Sequence, residues 1–221
     1  MNQSLEQILA FFSHLIHPSE LEAQLRAWGW VSYPILSAIV FAETGILAGF
    51  FFPGDSLLFV AGFVASMGII DIVLLNAVLI VSAILGDAVG YYLGKKAGPK
   101  VFHREDSVLF KKEYLEKTRI FYEKHGGKTI ILARFIPIVR TFAPFVAGVA
   151  GMGYRKFAYF NVAGGVLWVT SMTLLGYFLG NIAWVKANLE KAVLIVIFIS
   201  LLPVLHQALS SRLKRSDEKA A

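Results

Sequence analysis

The stretch from Ile130 to Met152 constrains the fold more than any other part of the chain. It is apolar enough to lie in a lipid bilayer, yet it contains Arg134, Arg140, Pro137 and Pro144. An arginine at the bilayer centre costs about 2.5–3.5 kcal/mol on insertion scales, and a proline kinks or breaks a helix. Non-helical backbone at membrane depth is stable only where protein covers it or where it lines a polar cavity. The stretch therefore predicts a broken, re-entrant element facing such a cavity, and two guanidinium groups favour an anionic occupant.

The composition indicates an integral membrane protein. Of the 221 residues, 57% are hydrophobic and only 16% are charged, whereas about 25% of residues are charged in a typical soluble domain. The net charge is +6, but the basic residues concentrate in the loop 95–128 and in the tail from Arg212. They flank apolar segments, as expected of cytoplasmic loops, so we expect no nucleic-acid partner. The absence of cysteine excludes disulfides and thiolate sites, and we expect neither a metal nor a cofactor.

Apolar segments divide the chain into an N-terminal region, a membrane domain over 30–211 and a basic tail over 212–221. Residues 1–29 carry two amphipathic patterns that are too short to cross a bilayer, which predicts interfacial helices. Four segments have spanning length: 31–52, 72–94, 157–180 and 192–209. The loop 95–128 predicts an amphipathic helix on the cytoplasmic surface. With this loop and the tail inside, both termini are cytoplasmic.

Two interrupted segments, about 53–70 and 130–152, predict re-entrant broken helices that enter the membrane from opposite faces. The first begins at Pro53 and Gly54 and is too short to cross alone, and the second contains the two prolines named above. Glu43 precedes the first break and Asp55 lies at its tip. Paired broken helices in the two halves of a chain indicate an inverted repeat with a transport site at the interface between the halves. The expected fold is therefore an all-α integral membrane protein built from such a repeat.

A glycine at every fourth position forms a smooth ridge on the segment 72–94 and just beyond it: Gly86, Gly90, Gly94 and Gly98. Such a ridge lets another helix approach closely, either within the chain or in a homo-oligomer. Asp87 lies beside it, and it is either a polar residue that holds helices together or a proton site.

Four motifs between residues 30 and 185 carry a family resemblance. They are Glu43-Thr-Gly45 with Phe52-Pro53-Gly54-Asp55-Ser56; Gly86-Asp87-x-x-Gly90-Tyr91-x-x-Gly94; Arg134-Phe135-x-Pro137-x-x-Arg140-x-x-x-Pro144-x-x-Ala147-Gly148, ending at Met152; and Phe157 with Asn161, Gly164 and Trp168. Together they resemble the DedA family of bacterial inner-membrane proteins, which shares the SNARE-associated or VTT domain with eukaryotic lipid scramblases. The resemblance implies that Glu43, Asp55, Arg134 and Arg140 are the functional residues. It also implies a lipid-carrier substrate, notably undecaprenyl phosphate, and dependence on the proton-motive force.

The main hypothesis is therefore a transporter in which Arg134 and Arg140 bind a lipid phosphate by charge-assisted hydrogen bonds. Glu43 and Asp55 either pair with the arginines in the empty state or take up protons during the cycle. The alternatives are a phospholipid scramblase, a proton-coupled cation or drug antiporter that uses only the acids, and a non-transporting envelope scaffold. A further alternative is that the four charges are structural ion pairs that hold the two re-entrant elements together.

An enzyme is not expected. A lipid-phosphate phosphatase would need a histidine nucleophile with a second histidine nearby, beside the arginine-bearing stretch. The five histidines lie elsewhere in the sequence: His14, His17, His103, His125 and His206. No catalytic residue is therefore assigned.

Overall fold

The computed structural model describes residues 18–46, 54–101, 128–196 and 198, and all regular structure in these ranges is helical. A 3₁₀ turn over Gly29–Val31 joins the first two helices. In chain order the helices are α1 (Pro18–Trp28), α2 (Ser32–Gly45), α3 (Gly54–Ser66), α4 (Ile72–Val101), α5 (Lys128–Ala133), α6 (Pro137–Val149), α7 (Tyr154–Leu179) and α8 (Ala183–Ala187). Helical residues continue over 189–196.

Among the described residues, three helical stretches are long and apolar enough to cross a membrane. They cover Pro18–Gly45, Ile72–Gly98 and Tyr154–Leu179. The second and third agree with the predicted spans. The first differs, because α1 and α2 together form one candidate span and α2 ends at Gly45 instead of reaching residue 52. Apolarity continues past the end of this helix, so hydropathy alone could not locate the boundary.

Two short helices, α3 and α6, have 13 residues each. At 1.5 Å per residue this is about 20 Å, less than the roughly 30 Å of a bilayer core. Every residue of α3 from Gly54 to Ala65 is buried, as expected of a helix that is apolar on all sides.

The break before α6 lies where the sequence predicted it, but only one of the two prolines ends a helix. Helix α5 stops at Ala133, Ile136 is extended, and α6 begins at Pro137, where a missing backbone N–H costs little. Pro144 lies inside α6, which continues to Val149. This differs from the prediction of a break at both prolines. A proline inside a helix removes one hydrogen bond, and here the surrounding packing keeps the helix intact.

Each short helix packs on a long helix from the other half of the chain: α3 packs mainly on α7, and α6 mainly on α4. The glycine ridge of α4 allows α6, and also α2, to approach α4 closely. A methyl group at Gly94 would overlap the Phe145 carbonyl oxygen of α6, and one at Gly86 would overlap the Thr44 hydroxyl of α2. The ridge therefore packs against helices of the same chain, and a homo-oligomer stays a prediction.

Several predicted features lie outside the described residues. These are the first amphipathic pattern, Pro53, the loop helix beyond Val101, the end of the last predicted span and the basic tail. All five histidines lie there too. The start of the loop is described, and residues 95–101 continue α4 as helix.

Candidate functional site

Five charged side chains are buried in the described part of the chain, and they form two neighbouring clusters. They are Glu43, Asp55, Asp87, Arg134 and Arg140. Burying a charge in a low-dielectric interior is costly unless it is paired. The partners of each charge therefore define what the site can do.

Arg140 is the centre of the first cluster. Its Nη1 lies 2.5 Å from Asp55 Oδ1, and its Nη2 lies 2.6 Å from Glu43 Oε1. One guanidinium thus bridges two carboxylates that come from different helices, α2 and α3. The contact to Glu43 is close enough for an ion pair but is not aligned as a hydrogen bond.

The ends of three helices bring this cluster together. Glu43 lies in the last turn of α2, while Asp55 and Arg140 lie in the first turns of α3 and α6. The Glu43 carboxylate lies directly against Gly54, the first residue of α3, where any larger residue would overlap it. A helix N-terminus favours a negative charge, so both carboxylates are well placed at the start of α3.

Trp168 of α7 completes the first cluster. Its indole Nε1 donates a hydrogen bond of 2.9 Å to Asp55 Oδ1, the same oxygen that Arg140 contacts. The guanidinium carbon of Arg140 lies 4.7 Å from the centre of the Trp168 ring, a cation–π distance.

Arg134 is the centre of the second cluster and lies in the turn between α5 and α6. Its Nη2 is 2.5 Å from both Asp87 Oδ2 of α4 and Asn161 Oδ1 of α7. The amide of Asn161 is held in turn, because its Nδ2 donates to the Ile84 carbonyl oxygen at 3.0 Å. Gly164 leaves room for the arginine, since a methyl group there would lie 3.1 Å from Arg134 Cδ.

The structure brings all five predicted site residues together. The sequence led us to expect that Glu43 and Asp55 pair with the two arginines, and the observed pairing differs for Arg134. Arg140 meets Glu43 and Asp55, whereas Arg134 meets Asp87. Asn161 and Trp168 belong to the family motifs in the sequence, but the sequence predicted no role for them. Their spacing contained a usable signal, because residues 161, 164 and 168 follow the i, i+3, i+7 pattern of one helix face.

Some polar atoms of the site have no hydrogen-bond partner, although one of them, Glu43 Oε1, is ion-paired with Arg140. Within the described ranges, Nε of Arg134, Nε of Arg140 and both oxygens of Glu43 are buried without a hydrogen-bond partner. An unsatisfied buried polar group is costly, so each arginine Nε–H can donate to a ligand, and the Glu43 carboxylate can accept a proton, at low further cost. The same ranges contain no cluster of three or more His, Asp or Glu side chains suited to hold a metal ion.

Comparison with known proteins identifies relatives of this chain. Residues 52–178 match the model of the VTT domain. The chain is 47% identical over 217 residues to Protein DedA of Escherichia coli strain K12, covering 97% of each chain. It is also 47% identical to an uncharacterized membrane protein of Mycobacterium leprae, over 78% of this chain and 77% of that one.

A further relative is Inner membrane protein YghB of Escherichia coli strain K12, which is 32% identical over 79% of this chain and 78% of its own length. No solved structure matches this chain. The spanning helices and the membrane relatives identify a multi-pass membrane protein. With a matched domain over more than half of its length, the chain belongs to the DedA family.

Proposed function

We propose that this protein translocates a phosphate-bearing lipid, most simply undecaprenyl phosphate, across the bacterial inner membrane together with protons. The observation that carries the proposal is the buried Arg140, which two carboxylates hold from two different helices. The name of the relative YghB, an inner membrane protein, supports the location.

The carboxylates on Arg140 occupy the positions that the oxygens of a phosphate would take. A guanidinium binds carboxylate and phosphate with the same planar geometry, so one anion can replace the other. Arg140 lies in the first turn of α6 and faces the first turn of α3. Two helix N-termini therefore meet here, and both favour an anion.

The count of buried charges supports proton coupling. Three carboxylates face two guanidinium groups in the described part of the chain, which leaves one excess negative charge. A phosphate that takes Arg140 would leave Glu43 and Asp55 without their cation. Protonation of these two groups removes the resulting repulsion, and the membrane potential supplies about 2.3 kcal/mol per charge per 100 mV to drive it.

Arg134 would supply the second phosphate contact in this proposal. Its Nε is unused, and Asn161 holds its Nη2 without carrying a charge. Asp87 balances the Arg134 charge when the site is empty and is a second position where a proton can bind.

The proposed architecture is an inverted repeat with both termini in the cytoplasm. In it, α3 and α6 are re-entrant helices that enter from opposite faces and meet at the site. Their length, shorter than a bilayer core, supports this arrangement, as does the way each packs on the long helix of the other half. Transporters of this kind bind substrate where the broken helices meet.

Lipid translocation in proteoliposomes tests the proposal. Undecaprenyl phosphate and a fluorescent phospholipid would be compared with and without a pH gradient, using the wild type and Arg140→Ala. We expect gradient-dependent movement of the polyprenyl phosphate that the substitution abolishes. Equal movement of both lipids without regard to the gradient would indicate a scramblase. No movement by folded protein would contradict transport of these lipids and favour an antiporter or a scaffold.

A further inference from the structure

Trp168 is fully buried and contacts both members of the ion pair between Arg140 and Asp55. The edge of its indole donates Nε1–H to Asp55, at 2.9 Å, and its face lies 4.7 Å from the guanidinium carbon of Arg140. The guanidinium carbon of Arg134 lies 6.0 Å from the same ring. One side chain therefore contacts a carboxylate and lies beside both arginines.

These two contacts do not compete with a phosphate. The cation–π attraction comes from the positive charge of Arg140 over the ring face, whereas its hydrogen bonds are donated by its N–H groups. Arg140 can thus keep its contact with the ring while its N–H groups exchange one anion for another. The indole N–H is a neutral donor, so its bond to Asp55 can persist when Arg140 binds another anion.

We propose that Trp168 is a positioning residue of the lipid-phosphate site. It orients Arg140 toward the incoming phosphate and retains Asp55 after the carboxylate has released the arginine. This inference rests on the proposed function, because it assigns Trp168 a part in the exchange of anions on Arg140.

Packing alone does not explain this choice of residue. A buried tryptophan needs a partner for its N–H, and here the partner is a carboxylate oxygen that already accepts a bond from Arg140. An apolar ring of similar shape would fill the same space without that requirement. The N–H and the ring face therefore have separate roles that separate substitutions can remove.

The first test is the transport kinetics of undecaprenyl phosphate by Trp168→Phe and Trp168→Leu. Phenylalanine keeps the ring face and loses the N–H, so we expect a KM within about threefold of the wild type, a lower kcat and a weaker response to the pH gradient. Leucine loses the ring as well, and we expect KM to rise about tenfold, the order expected for a desolvated cation–π contact.

Phe157→Leu is the matched control. Phe157 lies on the same helix, eleven residues or about 16 Å along it from Trp168, is also fully buried and stacks on Tyr91. A purely structural role for Trp168 predicts that all three substitutions lower the amount of folded protein and leave KM and the gradient response unchanged. That result would overturn the inference while the wild type still transports. A wild type that moves no polyprenyl phosphate would instead overturn the proposed function.

A second test leaves Trp168 in place and does not depend on the folding of its variants. The chain contains four tryptophans, and the triple substitution Trp28→Phe, Trp30→Phe and Trp184→Phe leaves Trp168 as the single fluorescent reporter. Undecaprenyl phosphate should change its emission saturably, and neutral undecaprenol should not. Unchanged emission at a lipid concentration that saturates transport by the same variant would contradict the inference.

Discussion

Arg140 and Asp55 are 85 positions apart in the sequence, yet Nη1 of one lies 2.5 Å from Oδ1 of the other in the buried interior. The bond joins the first turns of two short helices from opposite halves of the chain. A cation at a helix N-terminus is unfavourable and an anion is favourable. Arg140 therefore depends on its carboxylates in the empty protein, and the same electrostatics make a phosphate an acceptable replacement.

Replacing Arg140 by lysine should reduce transport by at least about tenfold while the protein remains folded. A lysine ammonium keeps the charge but cannot present two parallel N–H groups to a phosphate or bridge two carboxylates in the same plane. Transport assays on reconstituted protein measure the effect. Arg155→Lys, at an exposed arginine in the first turn of α7, is the control and should transport normally. Equal transport by both variants would exclude planar recognition by Arg140.

Removal of Asp87 should destabilise the protein through Arg134. Asp87→Leu leaves a buried guanidinium whose only strong partner among the described residues is the neutral amide of Asn161. Loss of one partner of a buried ion pair costs about 3–5 kcal/mol in soluble proteins, so the melting temperature in detergent should fall clearly.

The double variant Asp87→Leu with Arg134→Met separates stability from function. Removing both charges should restore much of the melting temperature, since two apolar side chains can replace a buried pair. It should not restore transport if Arg134 contacts the phosphate. Transport at the wild-type rate by the double variant would show that the second cluster is only structural.

The two arginines illustrate how far the sequence could predict the site. Apolar segments interrupted by proline and glycine predicted two broken helices that meet at one site, with Glu43 and Asp55 on one side and Arg134 and Arg140 on the other. The pairing of Arg134 with Asp87 was not predictable, because it depends on how α4 and α7 pack around the turn that holds the arginine. Asn161 and Trp168 are neutral, so no charge pattern drew attention to them.

The helix boundaries, too, could be predicted only in part from the sequence. The start of α6 followed from Pro137, since proline fits the first turn of a helix. The end of α2 did not follow from hydropathy, because the residues after Gly45 are as apolar as those before it. The continuation of α6 through Pro144 depends on its packing against α4, where the Pro144 side chain faces Gly90, and this contact is tertiary.

Gly54→Ala should impair transport by displacing Glu43. A methyl group at this position would overlap both oxygens of the Glu43 carboxylate, so the carboxylate must leave its place beside Arg140. We expect transport to fall by about tenfold, which corresponds to about 1.4 kcal/mol. Gly153→Ala is the control, because its added methyl group meets no atom within 4 Å. If the two variants transport equally, the position of Glu43 does not matter for function.

Two glycines of the α4 ridge should respond oppositely to alanine. At Gly94 the new methyl group would overlap the Phe145 carbonyl oxygen, whereas at Gly90 its nearest contact is an ordinary 3.6 Å to Pro144. We expect Gly94→Ala to lower stability by about 1–3 kcal/mol through overpacking. Gly90→Ala should be neutral or stabilising by up to about 1 kcal/mol, because alanine favours the helix. Thermal melting of both in detergent measures this, and similar melting temperatures would argue against close packing of α6 on α4.

In the proposed mechanism, Glu43 and Asp55 compete with a lipid phosphate for Arg140. The most direct measurement is the equilibrium binding of undecaprenyl phosphate in nanodiscs to the wild type and to Glu43→Gln with Asp55→Asn, over a range of pH. Amides leave the arginine available, so the double variant should bind at least about tenfold tighter, an effect of about 1.4 kcal/mol. Glu43→Gln alone provides the same comparison if the double variant does not fold.

This mechanism predicts how the affinity for undecaprenyl phosphate changes with pH. Protonation neutralises the competing carboxylates, so wild-type affinity should rise toward that of the double variant as pH falls. The pH dependence of binding to the double variant reflects titration of the lipid phosphate itself. The difference in affinity between the wild type and the double variant therefore isolates the effect of Glu43 and Asp55. Tighter binding by the double variant, with a difference that narrows at low pH, is the predicted result. Equal or weaker binding by the folded double variant at every pH would contradict the exchange of carboxylates for phosphate on Arg140.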